Sequence, residues 1–124
     1  IRHCIVETEG WFLNRKIHDA IYKCKAYPEQ VMKETFGSLK LLEFVETMIN
    51  DYKFLPDETV EIELWGFCTD ICVISNALLL RAKFPNYKIT VDASCCAGST
   101  IERHNAALEV MDSCQIDIKN FKRS

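Results

Sequence analysis

No run of basic residues interleaved with aromatics occurs in this 124-residue chain, and its formal net charge is −3. With a pI of about 5.6, that balance argues against a nucleic-acid binder. Nor does any apolar stretch reach membrane-spanning length, since the longest, residues 71–80, is broken by Ser75 and Asn76. Internal repeats, low-complexity segments and linkers are missing too. A single modest domain over residues 1–124, with a real core, is therefore expected. Nothing near Ile1 resembles a signal peptide, and that first residue is not Met. The expectation is that the start has been removed or that the sequence is part of a longer chain. The seven cysteines are odd in number and show no paired CxxC spacing: Cys68 and Cys72 are four apart, and Cys95 and Cys96 are adjacent. Such spacing fits neither a zinc ribbon nor a disulfide scaffold, so reduced thiols in a cytoplasmic protein are expected.

What is present is ordinary in bulk, 48% hydrophobic and 27% charged, and informative in one place. In residues 61–75, EIELWGFCTDICVIS, Val60, Ile62 and Leu64 alternate with Glu61 and Glu63, which predicts a short strand ending at Trp65. Gly66 breaks the run, and Thr69 or Asp70 offers an oxygen to cap a new helix. From Ile71 the sequence is continuously apolar and helix-long. Cys72 is thus expected in the first turn of a buried helix, just past the carboxyl end of a strand. Backbone N–H groups converge there with the positive end of the helix dipole. A thiol so placed is biased toward thiolate, and the same N–H groups suit a developing oxyanion. The ordinary alternative is a small buried cysteine.

The rest of the chain reads around that turn. Residues 1–27 show weak periodicity and are expected to be loop with one short helical turn, bent at Gly10 and stopped by Pro28. Residues 30–33 are a strand candidate. Ser38 caps a helix to about Asn50 whose apolar positions Leu41, Leu42, Val45, Met48 and Ile49 share a face. Residues 55–58 are a loop. The helix from Ile71 ends at Lys83 before Phe84-Pro85-Asn86. Residues 87–92 form a strand and residues 95–98 a small-residue loop. A capping box from Ser99 to Glu102 starts a helix with Ile101, His104, Leu108 and Met111 on one face. Residues 115–118 are a last strand, and residues 119–124 a polar tail.

This alternation of strand and helix predicts an α/β fold: an open parallel sheet with right-handed crossovers and helices on both faces. Ligands of such sheets bind beyond the carboxyl ends of the strands. Lys33, the turn 66–72 and residues 92–98 all end there. A lysine alone is usually a solvated charge. Beside a helix-start cysteine, Lys33 becomes an activator, because a nearby ammonium favours the thiolate.

GFCTDICVISNALLL resembles the G-x-x-T-D-x-C-V segment of the cysteine hydrolases that include nicotinamidases and isochorismatase-like proteins. VDASCCAG, the E-R-H-N-A-A-L-E-V-M helix, MKETFGS around the lysine and HCIVETEGW extend the resemblance over nearly the whole chain. The resemblance implies an isochorismatase-like, Rossmann-type three-layer fold, of which this chain is the C-terminal two-thirds without the first central strand. It implies that Cys72 is the nucleophile and Lys33 the catalytic lysine. It also implies that the Phe67–Cys68 peptide is cis, and that the N–H groups of Cys68 and Cys72 form the oxyanion hole. His3 matches a histidine of the metal site in nicotinamidases, so zinc or another divalent metal is implied, with no organic cofactor. The other metal ligands and the aspartate base would lie upstream of His3. Asp70 and Asp92 are poor substitutes for that base, and Glu7-Thr8-Glu9-Gly10 departs from the family's Gly-Thr-x-Gly run.

The activity implied is hydrolysis of a small carboxamide, nicotinamide or a related amide, to acid and ammonia through a thioester. The runners-up are an isochorismatase-type hydrolysis, which does not need a cysteine nucleophile, and a non-catalytic fragment or subunit. A small-molecule substrate is expected as partner, with neither nucleic acid nor membrane, and with homo-oligomer formation left open.

Overall fold

The computed structural model describes residues 2–24, 28–51 and 60–122. Two compact units divide the chain after Gln30. Among the described residues no helix is long and apolar enough to cross a membrane.

The first unit holds a turn and one helix. The Thr8 N–H bonds the Ile5 carbonyl at 3.0 Å and the Trp11 N–H bonds that of Thr8 at 2.9 Å, which folds residues 5–11 into consecutive turns. Glu7 takes a left-handed φ of 65° in this run. Helix α1 (Arg15–Lys23) follows, where the sequence reading expected no more than one turn. Asn14 caps it, its side chain accepting from the Lys16 N–H at 3.0 Å. Ile17, Ala20 and Ile21 do fall on one face at helical spacing, but over only 9 residues, none of which the helix buries.

In the second unit α2 (Leu39–Asp51) begins as expected at Ser38, whose hydroxyl accepts from the Leu41 N–H at 3.1 Å. Three strands follow, β1 (Glu61–Phe67), β2 (Lys88–Ala97) and β3 (Asp117–Lys119), parallel and in the order β1-β2-β3. The π turn Thr69–Val73 and α3 (Ile74–Lys83) connect the first two, and α4 (Ile101–Ser113) connects the last two. Helices α3 and α4 pack on each other and on β2, so both cover one side of the sheet. That side contributes Ile89 and Val91, fully buried with Ala77, Leu80, Leu108, Met111 and Ile116. Each large apolar side chain so buried is worth roughly 1.5–3 kcal/mol. Leu41, Leu42, Val45 and Ile49 of α2 pack against this core, the stripe expected from their spacing. Met48 of that stripe stays exposed.

The other side of the sheet is polar where the strands pair. Thr90 donates to the Glu61 carboxylate at 3.0 Å, and the Lys119 ammonium lies 3.2 Å from that of Glu63. Arg81 ties together the segments that lead into β2 and β3. Its guanidinium donates to the carbonyls of Phe84, Pro85, Tyr87 and Gln115 at 2.8–3.3 Å.

Several local expectations are corrected. Residues 30–33 form no strand, because a strand needs a hydrogen-bonded neighbour and the described sheet begins at β1. Residues 95–97 belong to β2 rather than to a loop. The ladder shifts register after Leu64, so that Gly66 pairs with Cys96 and Phe67 with Ala97. The cap of α4 is Thr100, accepting from the Arg103 N–H at 3.1 Å, because Ser99 is held by Asp70 instead. Ile101 is 76% exposed rather than on the buried face. The last strand starts two residues later than expected and ends one later, at Asp117–Lys119. The expected loop at 55–58 lies outside the described residues.

Candidate active site

The site forms where β1 ends. Gly66 takes φ 133°, a conformation that L side chains rarely adopt, and the Phe67–Cys68 peptide is cis. The chain then enters a π turn rather than the plain α-helix expected from Ile71. The Cys68 carbonyl accepts from the N–H groups of both Ile71 and Val73, each at 3.1 Å. Cys72 therefore sits one turn past the strand, half-buried, at the start of the helical segment.

Neither Thr69 nor Asp70 caps this turn as anticipated; Thr69 anchors it to α4 and Asp70 to the segment just before α4. The fully buried Thr69 hydroxyl lies 2.8 Å from His104 Nδ1. The Asp70 carboxylate accepts from the Ser99 backbone N–H at 2.8 Å and from its hydroxyl. Those two Ser99 bonds hold the Asp70 carboxyl below its ordinary range. Gly98 makes the close approach possible, because a Cβ there would lie 2.7 Å from His104 Cβ and 2.9 Å from its Cα.

Lys33 reaches the same place from the segment before α2. Its ammonium lies 3.4 Å from Cys72 Sγ and 3.1 Å from the Thr35 carbonyl oxygen. Asn76, buried in α3, joins the two segments. Its Oδ1 accepts from the Ser38 N–H at 2.8 Å, and its Nδ2 donates to the carbonyls of Phe36 at 3.2 Å and Cys72 at 3.0 Å. The sequence reading saw Asn76 only as an interruption of an apolar run. The signal was there: a polar amide amid buried apolar neighbours must find hydrogen-bond partners.

The other expected residues fall elsewhere. Asp92 is occupied by the Ser94 N–H and hydroxyl and by the Asn120 amide, which hold its carboxyl low. Cys96, beside Gly66 in the ladder, has its thiol pushed up by burial. His3 lies exposed in the first unit. Among the described residues no group of three or more His, Cys, Asp or Glu side chains could hold a metal ion, so the donor set around His3 does not fit the implied metal.

A parallel α/β sheet with a cysteine at a strand-to-helix turn and a lysine beside it is the class that these features define. Within it, the isochorismatase-domain profile matches residues 31–119, and the chain belongs to the isochorismatase family. Solved structures of similar fold include the nicotinamidase of Staphylococcus aureus, at 24% identity and TM-score 0.71 over 95% of this chain and 70% of that one. The nicotinamidase/pyrazinamidase of Bacillus subtilis matches at 24% identity and TM-score 0.73, over 97% of this chain and 63% of that one. The pyrazinamidase of Pyrococcus horikoshii in complex with zinc matches at 20% and 0.65, over 97% and 62%. The chain thus spans roughly two-thirds of the length of these proteins. No curated protein matches it.

Proposed function

We propose that this chain carries the nucleophile of a cysteine amidohydrolase that cleaves a small carboxamide, of the nicotinamide type, to the acid and ammonia. Both units are read as parts of one hydrolase domain over residues 1–124. The observation that carries the reading is the Lys33 ammonium 3.4 Å from Cys72 Sγ at a strand-to-helix turn. At that distance the ammonium can donate a charge-assisted hydrogen bond to the sulfur. The names of the similar structures supply the substrate type.

In this reading the Cys72 thiolate attacks the amide carbon, and the new oxyanion is held by the N–H groups of Cys68 and Cys72. The first turn of a helix leaves such groups without intrahelical partners. The C–N bond then breaks, ammonia leaves with a proton, and a thioester to Cys72 remains. Water attacks the thioester, giving the carboxylic acid and restoring the thiolate. Both proton transfers need an acid–base group. Asp70 and Asp92 are held by Ser99 and by Ser94 and Asn120, so neither serves. The resemblance gives the task to an aspartate of a preceding strand, a place that none of the described residues takes.

The test is incubation of the chain, joined to a preceding strand that carries the aspartate, with nicotinamide and with pyrazinamide, measuring ammonia and acid together. Equal release of both, abolished in Cys72→Ala, supports the reading. Release that persists in Cys72→Ala, or none from either amide, rejects it.

A further inference from the structure

We infer that Asn76 is the positioning residue that sets the distance between Lys33 and Cys72. The inference rests on the reading of those two side chains as a working pair, and it names the group that makes them one.

Lys33 and Cys72 share no secondary-structure element and lie 39 positions apart. Backbone pairing does not connect them, because residues 30–33 form no strand. The Lys33 side chain is exposed and bonds the Thr35 carbonyl of its own segment at 3.1 Å. Its place therefore follows the place of residues 33–38 as a body. Those residues are internally tied, since the Thr35 hydroxyl donates to the Gly37 carbonyl. What joins this body to the turn is the Asn76 amide.

One side-chain amide offers one acceptor oxygen and two N–H donors. At Asn76 the oxygen faces the Ser38 N–H, while the nitrogen faces two carbonyls, those of Phe36 and Cys72. Turning the amide over would set its NH2 against an N–H and its oxygen against two carbonyl oxygens. Only one orientation satisfies all three groups, so the bridge has a defined geometry. It grips the lysine segment at two points and the cysteine at its own carbonyl. Gly37 lets the segment settle closely, since a Cβ there would lie 2.7 Å from a terminal methyl of Leu79. The amide touches neither sulfur nor ammonium in these contacts and acts through the backbone of both.

A threonine at position 76 separates the two halves of this bridge. Its hydroxyl can still donate to the carbonyl four residues back, but it is too short to reach Phe36 and Ser38. The experiment measures the rate of iodoacetamide alkylation at Cys72 by peptide mapping, with exposed Cys95 as internal reference. It compares the protein, Asn76→Thr, Lys33→Met and the double variant. Expected is a fall of about tenfold at Cys72 in Asn76→Thr with Cys95 unchanged, and no further fall when Lys33→Met is already present. That non-additivity marks a residue acting through the pair. Asn76→Gln, with the same polar group on a longer stem, should restore part of the rate. A rate at Cys72 unchanged in Asn76→Thr, or an equal fall with and without Lys33, overturns the inference. Since the readout needs no turnover, an inactive protein showing the expected pattern keeps Asn76 in its role and removes only the amide reading.

Discussion

The Lys33 ammonium stands 3.4 Å from the sulfur of Cys72, on a segment that belongs to neither strand nor helix. Cys72 owes its position to a strand end and a turn; Lys33 owes its position to side-chain hydrogen bonds.

Cys72 should be the most reactive of the seven thiols toward iodoacetamide at neutral pH. It combines partial exposure with a neighbouring cation, whereas burial pushes the Cys96 thiol up and so suppresses its thiolate. Removing the cation in Lys33→Met should slow Cys72 about tenfold, the equivalent of roughly 1.4 kcal/mol. Initial labelling rates by peptide mapping decide this. Earlier labelling of Cys24 or Cys114 would remove the nucleophile assignment.

Two glycines beside the site should respond differently to alanine. At Gly98 the added Cβ meets the Cα and Cβ of His104, a helix backbone that cannot step aside. Gly98→Ala should cost about 1–3 kcal/mol and slow Cys72 alkylation by loosening the Thr69–His104 contact. At Gly37 the only close clash is with a terminal Leu79 methyl, Ser75 lying at ordinary contact distance; the methyl can rotate, so Gly37→Ala should cost less. Thermal or urea unfolding of both variants checks the order.

Glu7 occupies a left-handed conformation, φ 65°, at the position that the resemblance matches to the first glycine of the Gly-Thr-x-Gly run often found in the family. A non-glycine residue there costs about 1–2 kcal/mol. Glu7→Gly should therefore stabilise the first unit, by an amount reduced by the extra chain entropy of glycine. Glu7→Val should destabilise it. Proteolytic susceptibility near residue 7 reads both changes, and a less resistant Glu7→Gly protein would contradict the expectation.

Acid should loosen the anchor of the turn to the segment before α4. The Asp70 carboxyl is held below its ordinary value of 3.8 by the Ser99 hydroxyl and N–H. A depressed folded value means that the ionised form supports the fold. That support is complete above the ordinary carboxylate range and is lost as pH falls through the folded value. Asp70→Asn should lower the melting temperature at pH 7 and flatten its decline below about pH 4. An unchanged acid limb in that variant would show that Asp92 and Glu61, also held low, carry the effect instead.

Local chemistry made some of this protein legible without coordinates. Alternation of apolar and polar residues from Glu61 to Leu64 and the apolar run from Ile71 place Cys72 past a strand end, although β1 runs on through Gly66 to Phe67 instead of breaking at the glycine. The helical stripe of Leu41, Leu42, Val45 and Ile49 and the alternation of elements imply a parallel α/β sheet. Each of these signals spans only a few residues, within reach of backbone preference and periodicity. Tertiary structure decided the rest, because the groups concerned are partners only across long loops. Ser99 is taken from its cap by an aspartate 29 positions away. The cysteines at 95 and 96 become strand because the ladder jumps register against Gly66 and Phe67. Lys33 reaches Cys72 without a strand to deliver it, because the buried Asn76 amide finds the backbone of Phe36 and Ser38 rather than water. Periodicity carries no information about which distant group will satisfy a buried donor. Only the folded chain brings the candidates within 3.2 Å.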